Sequence, residues 1–178
     1  MTSPIAKARS RLWNMPRQTV RNVPFIPLLT GSFFFVGLSP FSSGTIGSAV
    51  AAILYYSLPL LQQNWMLAIM CVLCMIAGTV ASNAIVRHTN EHDAGIIVID
   101  EVLGQWIALI TFWYAGNIVF VISAFVLFRV FDILKVYPAS IFERKSGGAS
   151  IMLDDVVAGI YANIGAHLAT YFYYTYIS

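Results

Sequence analysis

Residues 65–86 read WMLAIMCVLCMIAGTVASNAIV, a stretch of 22 residues without a charged side chain. A helix rises about 1.5 Å per residue, so this stretch can cross the roughly 30 Å hydrocarbon core of a bilayer. Its two cysteines, Cys71 and Cys74, have no acid or histidine near them in the sequence, and we interpret them as membrane-buried thiols. The stretch therefore predicts a transmembrane helix.

The composition of the whole chain agrees with a membrane protein. Of its 178 residues, 58% are hydrophobic and only 10% are charged, and the mean hydropathy is +0.75. Soluble domains are about 45–50% apolar and about 25% charged. These values argue against a soluble globular protein, a disordered chain and a general nucleic-acid binder.

Other apolar segments lie on both sides of residues 65–86. Residues 24–38 are apolar but broken by proline and glycine, and they are short for a full span. Further hydrophobic helices are predicted for 49–61, after a turn at 39–48, and for 156–177, which ends in an aromatic belt. We divide 102–128 into a helical hairpin at Gly116 and Asn117. The fold class is thus all-α, a polytopic membrane bundle of about four to five hydrophobic segments.

The positive charges predict the topology. Five of the ten basic residues lie in an N-terminal arm, residues 1–23, which precedes a single membrane-embedded domain at 24–178. Because Lys and Arg are enriched on the cytoplasmic side, Arg87, Arg129 and Lys135 should share that face with the arm. The polar segments between the apolar ones, and any site they form, are therefore expected to face the cytoplasm.

Two pairs of acids stand where apolar helices are predicted to begin. Asp100 and Glu101 precede one helix, and Asp154 and Asp155 precede another. Acids at a helix N-terminus can simply stabilise the helix dipole. However, carboxylate oxygens are the ligands that Mg²⁺ prefers, and ionisable groups at membrane depth are functional by default. Convergence of the two pairs would form a Mg²⁺ site.

A stripe of charged residues follows at a spacing of three. Arg129, Asp132 and Lys135 lie along one side of a predicted helix. They could form an ion-pair ladder. Alternatively, Arg129 and Lys135 could clamp phosphate oxygens while Asp132 binds a metal. The sequence does not decide between the two.

Two further segments carry weaker signals. The glycine-rich turn around Thr45 could offer backbone N–H groups to an anion, although close helix packing explains it equally well. His88 and His92 have a spacing that can bind zinc, and His92 with Asp93 could supply a base or a metal ligand, but loop polarity is the commoner reason for such residues. His167, alone in the last span, is predicted to be a packed or hydrogen-bonded histidine.

Four segments of the chain resemble one family of membrane enzymes. They are GLSPFSSGTIGS at 37–48, HDAGIIVIDEVLGQW at 92–106, FRVFDILKVYP at 128–138 and GGASIMLDDVVAG at 147–159. In order and spacing they are similar to phosphatidylglycerophosphatase A. The resemblance implies a Mg²⁺-dependent phosphatase of phosphatidylglycerophosphate, in the bacterial inner membrane, with its active site on the cytoplasmic side.

The resemblance also implies a role for each candidate residue. It implies metal ligands among the paired acids, phosphate-binding residues on the charged stripe and in the turn, and further catalytic residues: Asp100, Glu101, Asp154 and Asp155 for the metal; Arg129, Lys135 and Thr45 for phosphate; Asp132, Asp100, His92 and Asp93 for catalysis. Either Asp132 or a water would attack phosphorus. The oligomeric state is left open, and the rival interpretation is a small cation- or proton-coupled transporter.

Overall fold

The computed structural model describes residues 23–40, 42–89, 95–139, 141 and 147–177. Over these residues the chain is helical and contains no β-strand, which confirms the predicted all-α class. A 3-10 turn at Val36–Leu38 follows the first helix. The described residues form six α-helices: α1 Phe25–Gly31, α2 Ser43–Ser57, α3 Asn64–Thr89, α4 Ile99–Ala108, α5 Ile118–Leu134 and α6 Gly148–Tyr176.

Helix α3 contains the stretch from which the fold was predicted. With 26 residues, it is the one helix among the described residues that is long and apolar enough to cross a membrane. One side of α3 packs inside the molecule, whereas its opposite side exposes a row of large apolar side chains: Trp65, Ile69, Val72, Leu73, Ile76 and Val80. One span is thus supported, and the further spans of the polytopic bundle stay a prediction.

The short helix α4 lies at the centre of the molecule. Eight of its ten residues are buried, and it contacts α2, α3, α5 and α6. At its C-terminal end, Asn163 Nδ2 lies 3.3, 3.1 and 2.6 Å from the carbonyl oxygens of Ile107, Ala108 and Ile110. At an exposed helix end, water donates hydrogen bonds to the last carbonyl oxygens. At the buried end of α4, Asn163 of α6 takes the place of that water.

The predicted division of 102–128 is confirmed, although its first half is shorter than a span. Gly116 has a φ of +70°, and the side chain of Asn117 accepts a hydrogen bond from the Phe120 N–H at 3.1 Å as the N-cap of α5. Helix α4 ends well before this turn, at Ala108. Its ten residues rise only about 15 Å.

Two helices begin well before their predicted starts, and α4 begins slightly early, at Ile99, so that the first acid pair lies in its first turn. Helix α2 starts at Ser43, inside the segment predicted as a turn, because Gly44, Gly47 and Ser48 are small enough to be buried against neighbouring helices. Helix α6 starts at Gly148, where Asn83 Oδ1 of α3 accepts a hydrogen bond from the Gly148 N–H at 2.8 Å. The second pair of acids therefore lies inside α6 and not at its start, which corrects the prediction.

A glycine contact fixes the crossing of α4 and α6. A Cβ on Gly159 would collide with the Gly104 carbonyl oxygen, and a Cβ on Gly104 would lie 2.7 Å from the Asp155 carbonyl oxygen. The two backbones therefore touch, as is common where helices pack through small residues. This contact places the first turn of α4 beside Asp155.

Candidate active site

Asp100 and Glu101 lie in the first turn of α4. The loop before the helix is held by a hydrogen bond from the Val98 N–H to the Gly31 carbonyl oxygen, at 2.9 Å. The Glu101 N–H donates to Asp100 Oδ1 at 3.1 Å, and the helix dipole favours negative charge at this end. The helix dipole and this local hydrogen bond explain why acids occur at the start of α4. They do not explain why Asp100 is buried.

A third acid, Asp155 of α6, joins them. Each of Asp100, Glu101 and Asp155 offers a carboxylate oxygen within 4.8 Å of the other two. Asp100 is 8% exposed and Asp155 only 4%. The structure therefore brings together both acids of the first pair, Asp100 and Glu101, and one acid of the second pair, Asp155. The two predicted pairs thus meet through these three residues.

The electrostatics of this cluster favour a positive partner. Burial raises the pKa of the Glu101 carboxyl well above its usual range, and the nearby charge of Asp100 raises it further. Burial likewise raises the pKa of Asp155, with Asp100 and Asp132 adding to the effect. Glu101 Oε2 is buried and has no hydrogen-bond partner. Three close carboxylates with an unpartnered oxygen fit a hard divalent cation, which would remove the repulsion between them.

Arg129 and Asp132 lie beside the acidic cluster on α5. Arg129 Nη1 is 2.7 Å from Asp132 Oδ2 and donates to Ser48 Oγ of α2 at 3.3 Å. Asp132 in turn lies close enough to Asp155 to raise the pKa of that carboxyl. The guanidinium is thus held at the edge of the cluster by groups from two helices.

Lys135 and Asp154 form a second ion pair at this end of the molecule. The Lys135 Nζ to Asp154 Oδ2 distance is 3.2 Å. Burial raises the pKa of Asp154 to about 6, while the charge of Lys135 limits the rise. Lys135 ends α5 in the left-handed conformation, with φ 45° and ψ 54°. Asp154, predicted as a metal ligand, is therefore found beside a lysine and not among the three clustered acids.

Helix α2 contributes through its smallest residues. A Cβ on Gly44 would collide with Glu101 Oε1 and lie 3.4 Å from Arg129 Nη1, so only glycine leaves room for these two groups. The Thr45 hydroxyl, predicted to bind phosphate, instead lies 3.0 Å from Ser42 Oγ at the exposed surface. Gly44 and Ser48 are thus two residues through which α2 contacts the site.

The histidines divide into three cases. His92 and its neighbour Asp93, predicted as catalytic, lie outside the described residues. His88 Nδ1 is 2.7 Å from the Ala84 carbonyl oxygen of its own helix. His167 is hydrogen-bonded as predicted, with its ring nitrogens 2.9 Å from the Asn163 carbonyl oxygen and 3.1 Å from Thr111 Oγ1.

Ser48, which contacts Arg129, was not predicted from the sequence. It follows Gly44 by four residues, and residues four apart lie on one face of a helix. A polar side chain one helical turn after Gly44, inside a run without charges, was therefore the available signal.

Together these groups can neutralise and bind a phosphoryl group. Three acids suit a divalent cation, and Arg129 and Lys135 are cations within two ion pairs next to it. Phosphoryl transfer is catalysed mostly by positioning and by stabilising negative charge. The arrangement is therefore suited to phosphate-ester chemistry.

Comparisons with known proteins point in the same direction. The family model described as Phosphatidylglycerophosphatase A matches residues 29–170. A Bacteroides thetaiotaomicron protein with the provisional name phosphatidylinositol-3-phosphatase is 39% identical over 151 residues, or 79% of this chain and 91% of that protein. Proteins named phosphatidylglycerophosphatase A from Escherichia coli and Haemophilus influenzae are 34% and 37% identical, over 88% and 74% of this chain and 84% and 80% of their own lengths. No solved structure gives a significant match.

Proposed function

The chain belongs to the phosphatidylglycerophosphatase A family and is a phosphatase that hydrolyses phosphatidylglycerophosphate, and we propose that it does so with a Mg²⁺ ion held by Asp100, Glu101 and Asp155. The observation that carries the proposal is the meeting of these three carboxylates, since Asp100 and Asp155 are buried residues and Glu101 has a buried Oε2. Mg²⁺ is the natural candidate because it takes one or two carboxylates together with phosphate oxygens and water. When bound, such an ion polarises a phosphoryl oxygen and lowers the pKa of water.

The cationic side chains would bind the phosphoryl group. Arg129 presents a planar guanidinium, which matches two phosphate oxygens, and Lys135 supplies a second positive charge. Asp154 would hold Lys135, as their ion pair supports. Thr45, His92 and Asp93 stay predictions from the sequence.

For Asp132 we favour a positioning role over nucleophilic attack. Its carboxylate is already 2.7 Å from Arg129, and an aspartate that attacks phosphorus would have to leave this pair. If Asp132 only positions Arg129, then Asp132→Asn should reduce turnover and leave measurable activity. Complete loss of turnover, with cation binding unchanged, would instead favour Asp132 as the nucleophile.

The proposed location is the bacterial inner membrane, with several spans and the site facing the cytoplasm. The apolar outer side of α3 supports contact with lipid. The outer sides of α5 and α6 expose further large apolar residues, which supports contact of these helices with lipid as well: Ile118, Ile122 and Val126 on α5, and Ile160, Ile164 and Leu168 on α6. The basic arm at 1–23 would stay at the cytoplasmic surface.

The decisive experiment measures phosphate release from phosphatidylglycerophosphate by the detergent-purified protein, with Mg²⁺ or with a chelator. We expect release with Mg²⁺, none with the chelator, and recovery when Mg²⁺ is restored. Asp100→Asn and Asp155→Asn should each reduce turnover by more than about 100-fold, because each removes a cation ligand. His88→Gln is the matched control and should keep full activity, since His88 Nδ1 is hydrogen-bonded to the Ala84 carbonyl oxygen of its own helix.

The outcomes separate the proposal from its rivals. Release that persists in the chelator would overturn the metal assignment while leaving the phosphatase intact. No release under any metal condition, with cation or proton flux in liposomes, would favour the transporter. Phosphatidylinositol 3-phosphate should be assayed in parallel, because a relative at 39% identity carries that substrate in its provisional name.

A further inference from the structure

Gln105 is a fully buried polar residue without a partner. Its side chain is 0% exposed, and neither its amide nitrogen nor its amide oxygen has a hydrogen-bond partner. A buried amide without hydrogen bonds is costly, and such groups are rare enough in native proteins to need an explanation. An apolar residue of the same length would avoid that cost.

The position of Gln105 on α4 places its amide near the Glu101 carboxylate. It lies one helical turn after Glu101 on α4, and residues four apart are neighbours on a helix face. Glu101 has a buried, unpartnered oxygen of its own, Oε2. Its other oxygen, Oε1, lies against Gly44, and Arg129 Nη1 would lie 3.4 Å from a Cβ built on that glycine. A donor and an acceptor, both without partners, therefore occur one turn apart in the same buried region.

We propose that Gln105 is a positioning residue of the cation site, whose amide N–H donates to Glu101 Oε2 when a divalent cation is bound. The inference rests on the proposed function, since it needs a cation at Asp100, Glu101 and Asp155. A carboxylate has more lone pairs than one cation can take, and the remaining lone pairs of a buried oxygen need a hydrogen-bond donor. Groups that hydrogen-bond a metal ligand fix its orientation and typically change metal affinity by about 10- to 100-fold.

The test compares cation binding by the parent protein and by Gln105→Met, which keeps the length of the side chain and removes its hydrogen-bonding groups. Binding of Mn²⁺, as a spectroscopic substitute for Mg²⁺, is measured by electron paramagnetic resonance without substrate. We expect binding to weaken by about tenfold or more. The Mg²⁺ concentration for half-maximal turnover should rise similarly, while turnover at saturating Mg²⁺ stays within about threefold of the parent.

Stability separates a positioning role from a structural one. Without cation, Gln105→Met should melt at the same temperature as the parent or higher, because an unpaired buried polar group has been removed. With cation, its gain in melting temperature should be smaller than that of the parent. A role in packing alone would lower the cation-free melting temperature and leave the affinity unchanged.

Thr170→Val provides the matched control. Thr170 is also 0% exposed and unpartnered, but it lies fifteen residues after Asp155 on α6, about 22 Å along the helix axis. The cation affinity of the Thr170→Val variant should equal that of the parent protein. Equal affinity in Gln105→Met and the parent overturns the inference alone, whereas a parent that binds no Mn²⁺ overturns the metal site together with it.

Discussion

At the scale of the residue, Gly44 shows how a position without a side chain takes part in a site. It leaves the space that Glu101 and Arg129 occupy between α2 and the helices beside it. The conformation of α2 does not require glycine there, because alanine is the better helix former by about 0.5–1 kcal/mol. The need for glycine therefore comes from its neighbours.

We predict that Gly44→Ala lowers kcat/KM for phosphatidylglycerophosphate by at least about tenfold, equivalent to about 1.4 kcal/mol of transition-state stabilisation. The added methyl group displaces the end of the Glu101 side chain, which is flexible, so the fold should remain intact. Thermal unfolding should accordingly stay close to that of the parent.

Gly95→Ala is the control for this substitution, because nothing lies within 4 Å of a Cβ at Gly95. It should have parental kcat/KM. If Gly44→Ala is equally active, Glu101 does not need its observed position for turnover.

The candidate site was predictable where acids interrupt apolar sequence. Asp100, Glu101 and Asp155 stand out for that reason, and the structure brings these three together. The pairing of Asp154 with Lys135 was not predictable, since adjacent residues on a helix point in different directions and only the packing of α5 on α6 selects one of them. Ser48 was missed because polar uncharged residues carry no pattern of their own.

At the scale of the element, α4 depends on a cap from another helix. Asn163 reaches three carbonyl oxygens at its buried end. The opposite end of α4 carries Asp100 and Glu101. One side chain of α6 therefore helps to hold the helix that presents two of the three clustered acids.

We predict that Asn163→Leu destabilises the protein by about 2–3 kcal/mol, because it leaves buried carbonyl oxygens without donors. The measurement is thermal unfolding in detergent. Tyr174→Phe removes an exposed hydrogen bond, the one from Asn117 Nδ2 at 2.8 Å, and should change stability by less than about 0.5 kcal/mol. A similar small effect for Asn163→Leu would show that α4 does not depend on its cap.

Helix ends were harder to predict than helices. Gly116 and Asn117 indicated the break before α5 correctly, because a left-handed glycine and an asparagine N-cap act locally. The starts of α2 and α6 depend instead on tertiary contacts. The early start of α6 requires Asn83 from α3, which is 65 residues away in the sequence, and no local pattern announces such a contact.

At the scale of the whole molecule, the distribution of apolar surface suggests where lipid lies. Cys71 and Cys74 are on α3, the helix that is long and apolar enough to cross a bilayer. Gly95, by contrast, is exposed in the loop that leads to α4. The two locations should differ in their access to water.

We predict that a membrane-impermeant maleimide leaves Cys71 and Cys74 unlabelled in membrane vesicles and labels them after denaturation in SDS. Gly95→Cys, in a variant with both native cysteines replaced by alanine, should be labelled from the cytoplasmic side only. Labelling of the native cysteines in intact vesicles would contradict a membrane-spanning α3. Labelling of Gly95→Cys from the periplasmic side alone would reverse the proposed orientation.

The left-handed backbone of Lys135 has a consequence for engineering this protein. A lysine in that conformation is strained by about 1–2 kcal/mol, and glycine would relieve the strain. Selection for heat resistance alone should therefore favour glycine at this position, at the expense of a positive charge beside Asp154. Melting temperature is thus a poor guide to improved catalysts here, and a screen for thermostable variants would need to score turnover at the same time.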